Sequence, residues 1–248
     1  MNYKIVEKGN PNYPRRLSAM RPFKDDVLGE DLDSPGKLYV CGSGYSEILN
    51  PVKSISIIGT RSPFYKAFEI GELVGRIAAT KEIVIVSGYA TGIDTTGHLG
   101  AMDAKGQTIA VLGSGINARN PEKPALERYI LECGIFISEL DDPNTPTEYK
   151  HLMRRDRITA GLSDAIFVVE TDPDGGAVHT ARIGKKLGKM VYTIDWDSSK
   201  KYKSKHQGGN TKMISDGIAE PISILDADKE FKRELDRILE EIFRASGS

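Results

Sequence analysis

Residues 55–94 read ISIIGTRSPFYKAFEIGELVGRIAATKEIVIVSGYATGID, and this stretch decides the fold. Two short β-branched runs, Ile55–Ile58 and Ile83–Ser87, bracket a segment in which Phe68, Ile70, Leu73, Val74 and Ile77 fall on one side of a helix. Apolar runs of four or five residues suit strands buried on both faces, and a strand–helix–strand unit is the building block of a parallel sheet. The helix is expected over Tyr65 to Ala79, with Ser62-Pro63 as its N-cap and first-turn pair. The same alternation continues through strands expected at Thr108–Leu112, Ile135–Ser138, Ala165–Val169 and Met190–Ile194. The fold class is therefore α/β with a mostly parallel sheet.

Three segments lie outside the alternation. Residues 1–50 are rich in Pro, Gly and charge, with a strand expected at Lys37–Val40, and read as an extension packed on the core. Residues 196–210 hold Lys200, Lys201, Lys203, Lys205 and Gly208-Gly209 with little apolar content, the composition of a mobile loop. A final helix, Asp228 to Phe243, sets Phe231, Leu235, Ile238, Leu239 and Ile242 on one stripe, to be buried on the body or on a second subunit. The expected organisation is an extension at 1–50, a core domain at 51–225 and a C-terminal amphipathic helix at 226–248.

The chain has 248 residues, and 34 Lys+Arg against 35 Asp+Glu leave a formal net charge of -1, so no global field draws it to polyanions. Cys41 and Cys133 are too few for a disulfide framework or a ligand cluster. No apolar run approaches the ~18 residues of a membrane span, and Met1-Asn2-Tyr3-Lys4 opens no signal peptide, which points to the cytoplasm.

In an open parallel sheet, ligands bind beyond the carboxyl ends of the strands. The loops there read Gly59-Thr60-Arg61-Ser62, then Ser87-Gly88-Tyr89-Ala90-Thr91-Gly92-Ile93-Asp94, Gly113-Ser114-Gly115-Ile116-Asn117 and Asp172-Pro173-Asp174-Gly175-Gly176. Glycine lets backbone amides approach an anion and the following helix presents its positive end, so four such loops on one edge describe a phosphate-binding rim. Neither G-x-G-x-x-G nor G-x-x-x-x-G-K-[ST] occurs, so no dinucleotide cofactor and no P-loop chemistry is expected. Arg61 offers a five-donor fork to phosphate; its alternative reading is a structural ion pair. Arg155 and Arg157, within the basic run at 150–157, add cations if they face the same rim, the alternative being a solvated helix start. Tyr89, Tyr149, Phe64 and Tyr65 sit beside the loops and suit base stacking, with buried packing as the alternative for Phe64. His98, one turn after Asp94, reads as the partner of an N-capping Asp or as half of a catalytic couple. His151, His179 and His206 show no metal spacing, and neither a catalytic residue nor a cofactor is assigned.

Taken in order, the loops resemble the DprA/Smf family of DNA-processing proteins. The series runs through Tyr13-Pro14-Arg15-Arg16-Leu17, Leu38-Tyr39-Val40-Cys41-Gly42, Ile58-Gly59-Thr60-Arg61-Ser62 and the Ser87–Asp94 loop leading to His98. It continues with residues 106–116, Ile137-Ser138-Glu139, Arg155-Asp156-Arg157 through Ser163, and Gly175-Gly176-Ala177-Val178-His179-Thr180-Ala181, covering residues 3 to 217. The resemblance implies an extended Rossmann-like three-layer sandwich that binds single-stranded DNA as a homodimer, helps load a RecA-type recombinase and catalyses nothing. It places Gly59, Thr60, Arg61 and Ser62 in a phosphate pocket, with Ser87, Gly88, Gly92 and Ile93 as the second wall and Arg155, Arg157, Gly176 and Thr180 beside them.

Several positions depart from the family pattern. Thr91 stands where an Arg is usual and Asp156 where an Asn is usual, so one cation is lost and one anion gained on the rim. Asn120-Pro121 replaces an expected Tyr-Pro. No winged-helix segment follows the last helix and no helical domain precedes the extension, which suggests a pared-down member. Cation-rich residues 150–157 and 182–205 against acid-rich 25–33 and 216–241 predict a dipolar layout and weak, salt-sensitive binding. The alternative function is a nucleotide sensor or an enzyme like the LOG phosphoribohydrolases, whose loop carries a glutamate three residues after its threonine; Ile183 occupies that position here.

Overall fold

The computed structural model describes residues 2–119, 123–224 and 228–244. Its strands are β1 (Lys4–Glu7), β2 (Phe23–Lys24), β3 (Asp31–Leu32), β4 (Lys37–Cys41), β5 (Ser54–Ile58), β6 (Val84–Gly88), β7 (Thr108–Val111), β8 (Ile135–Ser138), β9 (Ala165–Val168), β10 (Met190–Asp195) and β11 (Glu220–Ser223). Nine of them form one sheet in the order β1-β4-β8-β7-β6-β5-β9-β10-β11, while β2 and β3 pair separately. From β8 to β11 all pairing is parallel. In this sheet only β4 runs against the other strands, pairing antiparallel with both β8 and β1, so the extension supplies one edge of the main sheet.

The helices are α1 (Arg15–Ser18), α2 (Tyr45–Ile48), α3 (Tyr65–Thr80), α4 (Ile93–Asp103), α5 (Pro124–Cys133), α6 (Tyr149–Gly161), α7 (Gly176–Lys186), α8 (Gly208–Ser215) and α9 (Asp228–Arg244). Their buried residues divide between the sheet's faces. Ile57, Ile85, Phe167 and Ile194 pack with α3 and α9, and Ala110 and Phe136 with α5. On the opposite face Val86, Val111 and Ile137 meet Ile158 of α6, and Ile166 and Val191 meet α7 and α8. This is the expected three-layer sandwich. Every residue of β5 to β9 is buried, as the continuous apolar runs require.

The tyrosine and arginine of residues 13–17 clamp the extension. The Arg16 guanidinium forks onto Asp164 at 3.0 and 2.8 Å and also donates to the carbonyls of Pro51 and Val52. Tyr13 donates to the Pro35 carbonyl at 2.5 Å. The stripe of α9 is buried on the body, with Leu235 and Ile242 at 0% exposure, which settles where it packs.

Two expectations need correction. The start of α3 is not capped by Ser62: its N-cap is Phe64, and the Phe64 amide donates at 3.1 Å to the carboxylate of Glu170, just past β9. Residues 196–210 are also not a bare loop. Trp196 is 1% exposed and donates from Nε1 to the Val169 carbonyl, Tyr202 is buried, Ser199 Oγ accepts from the amides of Lys201 and Tyr202, and Gly208 opens α8. Trp196 and Tyr202 are anchors without periodicity, which is why the composition hid them. Among the described residues no helix is long and apolar enough to cross a membrane.

Candidate functional site

The strand order reverses between β5 and β9: successive strands β5 to β8 step one way, and the chain then returns to place β9 on the other side of β5. Because α3 leaves β5 toward one face and α7 leaves β9 toward the other, the two loops part and open a crevice. A cleft of about 380 Å³ lies there. Gly59, Thr60 and Arg61 line it from the β5 loop, Gly88 from β6, and Gly175 and Gly176 from the start of α7. Tyr149, Leu152, Met153, Asp156 and Thr159 of α6 close it; Tyr149 and Asp156 were expected at the rim, whereas Leu152, Met153 and Thr159, on the same helical face, were missed by sequence reading and would have been found by helical periodicity.

Arg61 is exposed at the mouth, and among the described residues its guanidinium has neither an ion-pair nor a hydrogen-bond partner. The ion-pair alternative finds no acid for it among the described residues. The backbone around it is fixed: the Thr60 amide donates to the Glu170 carbonyl at 2.7 Å, and the Thr60 carbonyl accepts from Ile93 at 3.1 Å. Gly92 permits this approach, since its φ is +83° and a Cβ there would collide with the Thr60 carbonyl and with Arg61 Cα. Gly88 is bare for a second reason, as a Cβ would run into the side chains of Arg155 and Asp94. Gly175 is the N-cap of α7, whose first residues Gly176 and Ala177 line the cleft, and Thr180 Oγ1 donates back to Gly176 at 3.3 Å.

Arg155 and Arg157 of α6 have different fates, because residues two apart lie on opposite sides of a helix. Arg155 is 7% exposed, lines the cleft, and donates from Nη1 to the Val111 carbonyl at 2.7 Å, while its Nε is buried without a hydrogen bond. Arg157 faces away. It is consumed by Glu139 (2.7 and 2.6 Å) and by the carbonyls of Asp33 and Arg154 (both 2.6 Å), so it is structural and leaves the rim.

Asp156 lines the cleft, but its charge is countered: Oδ2 lies 3.1 Å from His179 Nδ1, and Oδ1 lies 3.4 Å from Arg155 Nε. His179 Nε2 meets Asp25 at 2.8 Å. Burial opposes charging of His179, yet the two carboxylates outweigh it and raise its pKa, favouring the charged ring between them. Part of the expected dipolar layout is cancelled on folding. Lys150 and Arg154 lie 4.0 and 3.1 Å from Glu30, and Lys186 lies 2.7 Å from Asp26, so the acidic stretch of the extension neutralises the basic helices directly.

Other expected site residues are withdrawn from the cleft. Ser87 is fully buried and donates to the Ile57 carbonyl at 2.5 Å, and Ile93 lies in the core with its amide already bonded to Thr60. Gly115 is packed beneath Pro143, its amide bonded to Thr145. Ser62 is exposed but outside the cleft lining. Gly113 and Thr91 line a neighbouring hollow of about 220 Å³ that shares Arg61, Leu152 and Arg155 with the cleft. His98 is fully buried and bonds Gly88 O at 2.7 Å and Thr108 Oγ1 at 2.6 Å, not Asp94; burial pulls its pKa down to about 4, so it is a neutral structural group. Asp94 caps nothing, the N-cap of α4 being Gly92; it lines the cleft, and burial pushes its carboxyl up to about 6 against the pull of Arg155.

Of the candidate rings, Phe64 packs on Trp196 at 4.9 Å and Tyr89 on Phe136 at 5.1 Å. Tyr149, 70% exposed, stands at the cleft, and Tyr65, 66% exposed, lies beyond it. Asn120-Pro121 falls outside the described residues. Glu170 was not foreseen: fully buried, with its pKa raised by that burial, it ties the α3 start to the residue 196–207 loop through the Ser204 hydroxyl. Its only sequence signal is its place at the end of a strand.

Comparison with known proteins agrees with this geometry. Over 197 residues the chain is 32% identical to Protein Smf of Escherichia coli, covering 78% of this chain and 48% of that protein. It is 30% identical over 224 residues to DNA processing protein DprA of Bacillus subtilis, covering 86% and 73%. The chain thus spans about half the length of some curated relatives, the Smf proteins of Escherichia coli and Synechocystis among them. Among solved structures, DNA processing protein A of Helicobacter pylori superposes with a TM-score of 0.75 at 22% identity over 97% of both chains. The Streptococcus pneumoniae protein gives 0.73 at 27% identity, over 90% of this chain and 71% of that one. The family model described as DNA recombination-mediator protein A matches residues 4–232, and the chain belongs to that family.

Proposed function

We propose that this protein binds single-stranded DNA in recombination or DNA uptake, holding a backbone phosphate in the cleft between the β5 and β9 loops and catalysing no reaction of its own. The observation that carries the reading is Arg61, an exposed guanidinium with no ion-pair or hydrogen-bond partner among the described residues, over a glycine-built crevice at the point where the strand order reverses. The Helicobacter pylori protein of the same fold is described by its single-stranded DNA binding mode. Loading of a RecA-type recombinase and action as a homodimer belong to the same proposal. A glycosidase reading lacks its carboxylate, since Ile183 is 1% exposed in the apolar cluster of α7. Incubation with nucleoside monophosphates should release no free base, and base detected by chromatography would reverse the assignment.

The deciding measurement is fluorescence anisotropy of labelled oligo-dT and of duplex over a salt series. Arg61→Ala is expected to weaken single-strand binding about 10- to 100-fold, the range of charge-assisted hydrogen bonds, and to lower the salt slope by about one unit. No single-strand binding at low salt, or unchanged affinity in Arg61→Ala, would overturn the reading.

Asp94 gives the binding a pH dependence. Its ionised form places a negative charge beside the phosphate, so protonation favours binding, and affinity should rise as pH falls through about 6. Asp94→Asn should bind tightly at both ends of the range and flatten the profile. A wild-type profile that the substitution leaves unaltered contradicts this assignment.

A further inference from the structure

The carboxyl edge of the sheet holds a second feature that the cleft does not use. Tyr65, on the first turn of α3, leaves two thirds of its surface to solvent (66%) although it begins a well-packed helix. It is rooted edge-on: its ring centroid lies 5.7 Å from Phe64 at 82° and 6.4 Å from Tyr202 at 71°, and Phe64 rests on the buried Trp196. A ring supported in this way keeps its orientation while contributing little to the core.

The loop beside it is basic. The segment from Lys200 to His206 carries Lys200, Lys201, Lys203 and Lys205 and no acid. Lys66 and Lys201 lie 5.1 and 5.0 Å from the Tyr202 ring centroid. The nearby acids are engaged, Asp197 with Lys203 at 3.7 Å, Glu69 with Lys66 at 3.2 Å and Asp172 with His206 at 2.8 Å.

This patch is continuous with the cleft. Asp172, which holds His206, lines the cleft, and Glu170, which holds Ser204, bonds the amide of Phe64 next to Tyr65. In the sheet β9 alone separates β5 from β10, so their loops stand about 10 Å apart on the same edge.

We propose that Tyr65 and the lysines of the β10–α8 loop form a second subsite for the same single strand, in which a base leaving the cleft stacks on Tyr65 while its flanking phosphates meet Lys200, Lys203 and Lys205. The proposal rests on the cleft being a single-strand site. Stacking on an aromatic face accepts any base, and lysine recognises phosphate as a point charge, so the subsite adds affinity without sequence preference. It also offers cations that the Thr91 position no longer provides.

Anisotropy with oligo-dT of about ten nucleotides, long enough to cover both subsites, tests it. Tyr65→Ala should weaken binding about tenfold with Tyr65→Phe restoring it, and the triple change of Lys200, Lys203 and Lys205 to Ala should lower the salt slope by about two. Should Tyr65→Ala fold poorly, photocrosslinking of 5-iododeoxyuridine oligomers to the unaltered protein reads the same contact, with adducts expected on Tyr65. Full affinity in the Tyr65 and lysine variants, or crosslinks that avoid Tyr65, while Arg61→Ala still loses binding, overturns the platform and leaves the cleft standing. Full affinity in Arg61→Ala as well overturns both.

Discussion

Arg157→Ala should cost about 3–5 kcal/mol of folding stability, the loss typical when one partner of a buried ion pair is removed. The guanidinium is 4% exposed, forks onto Glu139 and donates to the carbonyls of Asp33 and Arg154, so it joins α6 to the end of β8 and to the extension. Deleting it leaves the Glu139 carboxylate and the carbonyls of Asp33 and Arg154 without their donor. Arg157→Lys should rescue little, because one ammonium cannot reproduce a fork aimed at three acceptor groups. The single tryptophan, Trp196, is 1% exposed and reports unfolding in urea by its fluorescence. A loss below about 1 kcal/mol, the value of an exposed pair, would show that this cluster is not the fastening described.

Gly92→Ala should be the most damaging single change to the cleft. The residue sits at φ +83°, where a side chain is strained, and its Cβ would collide with the Thr60 carbonyl and lie 2.7 Å from Arg61 Cα, so the loop that carries Arg61 must shift. Because the contact is with backbone, rotamer change gives no relief. The expected outcome is at least the affinity loss of Arg61→Ala, together with about 2 kcal/mol or more of lost stability, read by oligo-dT anisotropy and thermal melting. Gly36→Ala is the control, since nothing lies within 4 Å of its Cβ position and its φ is unexceptional. Equal behaviour of the two variants would mean that the β5 and β6 loops are not locked together as described.

The core strands and α3 were legible to within a residue or two, because a strand buried on both faces and a helix buried on one write their periods directly into the chain. The site was legible in outline: Gly59, Thr60, Arg61, Gly88, Gly175, Gly176 and Thr180 do converge. Ser87, Ile93 and Gly115 belong to the same loops but serve packing, a distinction that depends on which atoms neighbouring elements bring against them. The anchors of residues 196–207 were hidden for a similar reason. Trp196 and Ser204 are fixed by Val169 and Glu170, more than twenty residues earlier in the chain.

The sequence by itself determined an α/β fold with a mostly parallel sheet and glycine loops at its carboxyl edge, since these follow from local periods and turn chemistry. Only the tertiary structure decided which cations are available. Arg155 and Arg157 look alike in a basic run, yet helical geometry turns one toward the cleft and the other into Glu139, while Glu30 and Asp26 of the extension neutralise Arg154 and Lys186. Charge in a folded chain is set by through-space neighbours at a few ångströms, and those neighbours lie from 18 residues away, for Arg157 and Glu139, to 160, for Lys186 and Asp26.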